Sequence, residues 1–507
     1  MDIGPSFFLY TTVIQMVFNS IMNSAEFEVC IIGSGFAGLC MAIHLRRRGI
    51  SFVVLEQGSD IGGVWRDNIY PGCACDVPSH LYSFSFAAKT NWSRTYASQS
   101  EIWDYLKGLT DQYRLRPAIR FNSKVSEAVF DETNQLWDVR MQTGETLTAH
   151  VLISGIGLLS RPAYPKLPGL ERFQGHTFHS ARWDHGFELQ GKRVAVIGTG
   201  ASAIQFVPQI APQVAQLHLF QRTPPWIVSR NDHPIGVWKQ ALFRWVPGYR
   251  RIIRYVIYWG LELRAFGFTR KPHLLKHAQK WARQHLEASV ADPTLRAQLT
   301  PNYLLGCKRV LVSDDYYPAV TRSNVELITN GIAEVREHSI VGLDGKERPV
   351  DAIIYGTGFR DPSLLTPLRI IGRNGIDLNS AWRNGAEAYL GITVSGYPNF
   401  FMVVGPNTGV GHTSMVFMME AQVHYVMKCL TLLRERATGV MELQSDAQAR
   451  FNRKLQKQME RTVWKSGCRS WYLDENGKNV TLWPGFSCDF WIKTRRVETR
   501  DYIFTKI

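Results

Sequence analysis

The sequence predicts an α/β fold that uses one strand–turn–helix plan twice, and three observations lead there. Gly33-Ser-Gly35-Phe36-Ala37-Gly38 follows the apolar run Phe27–Ile32 and precedes the apolar stretch Leu39–Leu45. Gly198-Thr199-Gly200-Ala201-Ser202-Ala203 follows Arg193–Ile197 and precedes Ile204–Ile210. Two further apolar strands, Leu152–Gly157 and Ala352–Gly358, each meet a glycine turn. In such a motif the first glycine makes the tight turn. The second lets backbone approach a pyrophosphate, and the third position packs helix on strand. The helix N-terminus then offers free N–H groups to phosphates. Two Rossmann-like dinucleotide-binding domains imply two nucleotides, with electrons passing from one to the other.

The end of the second strand in each unit indicates which nucleotide. Ser51–Glu56 reads as a strand ending in an acid. A carboxylate there accepts hydrogen bonds from a ribose diol and repels a 2′-phosphate, which suits FAD or NAD. His218–Arg222, followed by Thr223, ends in a cation instead. A guanidinium pairs with a 2′-phosphate, so the second site suits NADPH.

The elements follow in order. Residues 1–23 read as an N-terminal extension. Its apolar run Ser6–Phe18 is too short to span a bilayer and lacks the basic lead of a signal peptide. Residues 24–162 read as the first part of the FAD domain, with a helix over Ser100–Tyr113. Strands at Trp137–Arg140 and Thr146–Ile153 flank a Thr143-Gly-Glu turn. The loop from Gly62 to Asp76, carrying Val64 and Trp65, is expected to lie along the flavin. The Pro-rich run Arg161–Pro168 reads as a linker. Residues 163–345 would form an inserted NADPH domain with a helical insert at about 234–300, and 346–507 the rest of the FAD domain. Within that last part, a strand ending at Gly405 precedes the helix Met415–Leu433. The N-terminus of this helix would favour negative charge on a reduced flavin.

Composition narrows the function. The chain has 507 residues, 45% hydrophobic and 20% charged, enough for two or three globular domains. Eight scattered cysteines form no metal-ligand pattern, so reduced thiols in a cytoplasmic protein are expected. The net charge of +15 is concentrated: Gln221–Val310 holds 16 Lys/Arg against 4 Asp/Glu. A positive field there steers a polyanionic cofactor. No recognition helix or zinc finger is present, and the cations are interleaved with aromatic residues, which argues against nucleic acid. The aromatic, Arg-rich segment from Gly236 to Phe268 has no 18-residue uncharged run. It is expected to pack over the active site, with weak peripheral membrane contact as its alternative use.

Between the glycine motifs lies Phe173-Gln-Gly175-His-Thr-Phe-His179-Ser-Ala-Arg-Trp183-Asp184. This pattern resembles the fingerprint of type I Baeyer–Villiger monooxygenases. The related N- and S-oxygenating flavin-containing monooxygenases, the alternative reading, lack the Trp. The ending Val480–Gly485 looks nearer the 4-hydroxyacetophenone-oxidising subgroup. The resemblance implies an FAD- and NADPH-dependent enzyme that inserts one oxygen atom from O2 into a ketone C–C bond through a C4a-peroxyflavin, giving an ester or lactone. It implies that Phe173, Gly175, His179 and Trp183 couple NADPH binding to domain movement. Arg309, in Gly306-Cys-Lys308-Arg309, would be catalytic, and Asp76 would orient it. Lys308 would hold the nucleotide's phosphate, Trp471 would touch the nicotinamide ribose, and Tyr82 and Val125 the flavin. Gln205 joins the second glycine motif in the expected NADPH contacts. Ala74 departs from the Arg that several members carry in that loop. Cys73 and Cys75, separated by one residue, do not suit a flavin-facing redox dithiol.

The chemistry asks for these residue types. A guanidinium stabilises a developing oxyanion yet hardly releases a proton. A buried arginine without a partner is costly, so a carboxylate beside it is expected.

Overall fold

The structure, a computed structural model, describes residues 25–360 and 365–506. The expected N-terminal extension lies outside the described residues. The first sheet begins with β1 (Phe27–Ile32), α1 (Phe36–Arg47) and β2 (Phe52–Leu55). After α2 (Gln99–Gln112) come β3 (Ile119–Arg120), β4 (Val125–Asp131), β5 (Leu136–Met141) and β6 (Thr146–Ser154). β1 lies in parallel between β2 and β6. Its last four residues are buried, as the apolar run requires of a strand covered on both faces.

A second sheet interrupts the first. β7 (His176–His179) and β8 (Arg193–Ile197) lead into α3 (Ala203–Ile210) and β9 (Gln216–Phe220). Short β10 (Ile227–Val228) and β11 (Leu311–Val312) pair in parallel. Between them runs the expected insert: α4 (Val237–Trp245), α5 (Tyr249–Glu262), α6 (Ala265–Thr269), α7 (Leu275–Ser289) and α8 (Pro293–Leu299). β12 (Val325–Ile328) is followed by an antiparallel ribbon of β13 (Ile332–Arg336), β14 (Ser339–Gly342) and β15 (Glu347–Pro349), and then β16 (Ala352–Tyr355). The order is β12-β9-β8-β16-β7, with every pairing parallel.

Only after β16 does the chain return to the first sheet. There β17 (Arg369–Ile371) pairs with β4 and β18 (Phe400–Met402) with β6. The changeover expected at 346 therefore falls too early. Ala352–Tyr355 is in register with Val194–Ile197 and belongs to the second sheet. Helices α9 (Met415–Glu435) and α10 (Ser487–Lys493) complete the described fold that bears on the site.

The two glycine-ended strands read from sequence turn out to be equivalents. Each runs beside the strand that carries its own unit's glycine motif. A Cβ on Gly33, whose φ is +97°, would come within 2.9 Å of the Gly155 carbonyl oxygen. A Cβ on Gly356 would lie 3.3 Å from the Gly198 oxygen. Backbone meets backbone at both turns, and a side chain would separate them.

One expectation about cysteine is overturned. Cys307 and Cys468, 161 positions apart with Cα atoms 6.2 Å from each other, form a disulfide; the other six thiols are free. Scattered spacing hid the pair, because the fold alone brings the two loops together.

Two predictions follow from the packing. Trp137 is fully buried, donates from Nε1 to the Pro398 carbonyl at 2.9 Å and packs on Phe130 and Phe400. Trp137→Ala should cost about 3–5 kcal/mol in chemical denaturation. Burial and neighbouring arginines lower the pKa of His44 and His80 from 6.5 to about 4. The unfolded chain then takes up protons that the folded chain refuses, so stability falls on acidification below about pH 6.5 and is unaffected above it. His80→Gln should flatten the fall in denaturation midpoint between about pH 6.5 and 5; an equal slope in both proteins would remove His80 from the acid response.

Candidate active site

One loop of the first unit is gripped by the second at several points. Tyr70, Ala74, Cys75 and Asp76 lie between β2 and α2, and four residues of the second unit hold them. Gln205, at the start of α3, accepts from the Tyr70 hydroxyl at 2.9 Å and donates to the Ala74 carbonyl at 3.0 Å. Arg230 donates to the Cys75 carbonyl at 3.1 Å. Arg309 donates to a single Asp76 oxygen from Nε at 2.8 Å and from Nη2 at 2.5 Å. A fourth grip is aromatic: Tyr70 meets Phe206 at 6.0 Å, and Phe206 meets Trp183 at 5.3 Å. Gln205, expected at the NADPH, thus clamps the opposite unit's loop.

β10–β11 pairing fixes the Arg309 loop, because Arg309 ends two residues before Leu311. Both side chains of the ion pair stay about one-third exposed, 32% for Arg309 and 29% for Asp76. The Asp76 charge raises the Arg309 pKa further above its ordinary value, so this group is a fixed cation. Tyr472 joins the pair. Burial pushes its hydroxyl up to about 12, with the Arg309 charge acting against that rise. Sequence reasoning missed Tyr472, although it adjoins Trp471, whose ring lies 4.9 Å away and is 43% exposed. The disulfide at Cys307 and Cys468 ties the loop of Lys308 and Arg309 to the segment that leads to Trp471 and Tyr472.

On the first unit's side, Phe36 meets Tyr82 at 5.2 Å, and Trp65 donates from Nε1 to the Tyr82 hydroxyl at 3.1 Å. Burial raises the Tyr82 pKa, and the charges of Asp76 and Arg309 reach it. The expected flavin residues Phe36, Trp65 and Tyr82 thus form one cluster beside the ion pair. Val64 opens the turn that carries Trp65, with Gly63 against Gly35. Val125, the first residue of β4, is buried within the sheet and stands apart from this cluster.

The glycine turns fit dinucleotides. No side chain caps α1 or α3, so the helix starts at Gly35–Gly38 and Gly200–Ala203 leave N–H groups for phosphates. Glu56 follows β2 directly and is 3% exposed. It accepts from the Ser34 N–H at 2.9 Å, the Ser34 hydroxyl at 2.7 Å, the Gly58 N–H at 2.8 Å and Arg66 at 2.8 Å. Burial would raise its pKa; these hydrogen bonds outweigh burial and hold the carboxyl ionised at the turn.

At the second turn, Thr199 is buried, Gly200 and Ala201 are exposed, and Ser202 is half-buried. Arg222 and Thr223 follow β9. Burial, and next the charge of Arg222, lower the Lys308 pKa. Two cations held within reach of each other, with no carboxylate on either among the described residues, fit the 2′-phosphate of NADPH.

The fingerprint forms a structural corner. Gly175 leaves room for Phe173, where a Cβ would lie 2.6 Å from the Asp351 carbonyl oxygen. His179 is fully buried at the end of β7, and its Nδ1 accepts from the Ala181 N–H at 3.0 Å. Burial lowers its pKa, which keeps the ring neutral. Trp183 packs on Phe178 at 5.1 Å and on Phe206 of α3. The strand that leads into the second unit is thereby joined to the helix at its glycine turn.

A family model described as flavin-binding monooxygenase-like matches residues 26–245. The chain is 47% identical over 481 residues to a Pseudomonas aeruginosa protein named Baeyer-Villiger monooxygenase, which covers 94% of this chain and 91% of that one. A Streptomyces coelicolor protein of the same name is 46% identical over 94% of this chain and 92% of its own. Among solved structures, an oxidized steroid monooxygenase bound to NADP superposes with a TM-score of 0.85 at 30% identity, covering 95% of this chain and 100% of that one. A closed cyclohexanone monooxygenase gives 0.85 at 27% identity, covering 95% of this chain and 99% of that one. Sequence and architecture agree over nearly the whole length, and the chain belongs to the Baeyer–Villiger monooxygenases.

Proposed function

We propose that the protein uses FAD and NADPH to insert one oxygen atom of O2 into a C–C bond of a small apolar ketone, giving an ester or lactone. The observation that carries this reading is the Arg309–Asp76 pair, which closes the seam between two glycine turns that fit dinucleotides. FAD, reduced by NADPH, supplies the activation of O2. The chain's own residues do the rest.

Arg309 is the cation assigned to developing negative charge. Its guanidinium would stabilise negative charge developing on oxygen without giving up a proton to it. Asp76 is a positioning residue: it receives two of the guanidinium's donors and fixes the plane of the fork. Tyr472, held protonated by burial, is a neutral donor beside the same cation. Arg222 and Lys308 would take the 2′-phosphate of NADPH, and Glu56 would shape the turn at the FAD ribose through Ser34 and Gly58. Six free thiols support a cytoplasmic location, with Cys307–Cys468 as the exception.

Arg309→Ala should stay yellow and oxidise NADPH while its ester yield falls at least about a hundredfold, read by product mass raised by one oxygen. Undiminished ester would take Arg309 out of the reaction. Arg222→Ala and Lys308→Ala should each lower the NADPH-to-NADH ratio of kcat/KM by about tenfold or more. An unchanged ratio would place the 2′-phosphate elsewhere.

A further inference from the structure

Helix α5 buries several polar side chains and leaves an apolar stripe exposed. Its inward face mixes the apolar Ile257 and Leu261, which pack against the core, with polar residues. Arg254 donates to the His80 carbonyl at 2.7 Å and lies 3.7 Å from Glu420. The Tyr258 hydroxyl lies 3.0 Å from that of Ser487 in α10. Glu262, 1% exposed, accepts from the Ser487 hydroxyl at 2.7 Å and the Cys488 N–H at 3.0 Å, and its other neighbour is His412 Nε2 at 3.2 Å. The outward face is apolar: Ile252 is 60% exposed, Tyr255 64%, Val256 64%, Trp259 52% and Leu263, just past the end, 71%. At 3.6 residues per turn these five fall within about 100° of arc. An ordinary surface helix covers such a stripe; here it stays exposed.

The charge around this stripe is one-sided. Among residues 236–289, nine of eleven Lys and Arg are exposed. Glu287 is the one exposed acid, because Glu262 is buried. Arg251 and Arg264 flank the apolar arc, at roughly 100° on one side of its Ile252 position and 120° on the other. The neighbouring helices add exposed aromatics in α4 (Trp238 and Trp245) and α6 (Phe266). No helix among the described residues is long and apolar enough to cross a membrane. An apolar, aromatic stripe bordered by exposed arginines matches the headgroup boundary of an anionic bilayer, where aromatic rings and aliphatic side chains enter the acyl edge and guanidinium groups pair with lipid phosphates.

We infer that α5 lies in the plane of an anionic membrane surface, with Ile252, Val256 and Trp259 in the lipid and Arg251 and Arg264 at the headgroups. A second copy of the chain is disfavoured as the occupant, because the same dense positive charge would face itself. The placement has a use under the proposed activity: an apolar ketone concentrates in lipid, and α5 braces the loop that carries His80 and Leu81 beside Tyr82. Docking itself rests on the helix alone and is tested without substrate.

The test is flotation of the flavin-loaded protein with phosphatidylcholine vesicles, and with the same vesicles containing about 30 mol% phosphatidylglycerol. Wild type should float with the anionic vesicles at least about tenfold more than with the neutral ones, and about 0.5 M salt should release it. Ile252→Asp/Val256→Asp should lose at least about tenfold of this binding while keeping wild-type flavin content and NADPH oxidation. Arg251→Glu/Arg264→Glu should lose the preference for anionic lipid. The inference falls if wild type stays in the dense fraction with anionic vesicles, or if the Asp variant floats as wild type does. It also falls if light scattering finds a wild-type dimer that the Asp variant converts to monomer while neither binds lipid. Failure of ester formation with intact flotation would overturn the proposed activity and leave the docking in place.

Discussion

The contact between the two nucleotide units centres on a charge pair made across their seam. Arg309 and Asp76 are 233 positions apart and come from different nucleotide units. Neither unit alone contains the pair. An unpartnered guanidinium at such a seam would be costly, and a carboxylate alone would repel both the NADPH phosphates and an incipient oxyanion. Joined, they make a cation of fixed orientation at the place where the two units touch. The contacts nearby act on the same loop: Gln205 on Tyr70 and Ala74, Arg230 on Cys75. Four grips within seven residues mean that any rotation of the second unit is felt at Asp76. The position of the cation is therefore tied to the position of the second unit.

The fingerprint corner has the same logic at longer range. Trp183 sits on Phe206, Phe206 on Tyr70, and Tyr70 is two residues from the turn at Gly72. A Cβ on Gly72, whose φ is +77°, would come within 2.7 Å of the Gln205 carbonyl oxygen. The strand entering the second unit, the helix at its glycine turn and the first unit's loop thus form one packed line. A buried, neutral His179 suits a corner that must keep its shape rather than trade protons.

How much of this was legible in sequence follows from what each feature depends on. The glycine turns were readable because they rest on backbone contact within a short stretch. Glu56 and Arg222 were readable because a strand end lies a fixed distance from its turn. Arg309, Asp76 and the fingerprint were legible only through resemblance, since nothing local says that residue 76 will meet residue 309. Tyr472 and the Cys307–Cys468 bond were not legible, because both depend on a late segment folding back over the seam. The changeover at 346 was misplaced because β16 is the last strand of the second unit yet looks like the start of a return. The exposure of the apolar stripe on α5 is hidden for a related reason. An amphipathic pattern shows that two faces differ, and only tertiary contacts show which one faces in.

The division of the first sheet sets a timetable. Along β6, the edge that β5 covers up to Ala149 passes to β18 at Leu152–Ser154, and β18 is Phe400–Met402. On a ribosome adding 5–20 residues each second, that uncovered length of apolar strand waits roughly 10–50 s for its partner. An open strand edge of this kind invites pairing with other nascent chains. The interval in which this edge is open to such pairing therefore falls during synthesis, before residue 400 has left the ribosome.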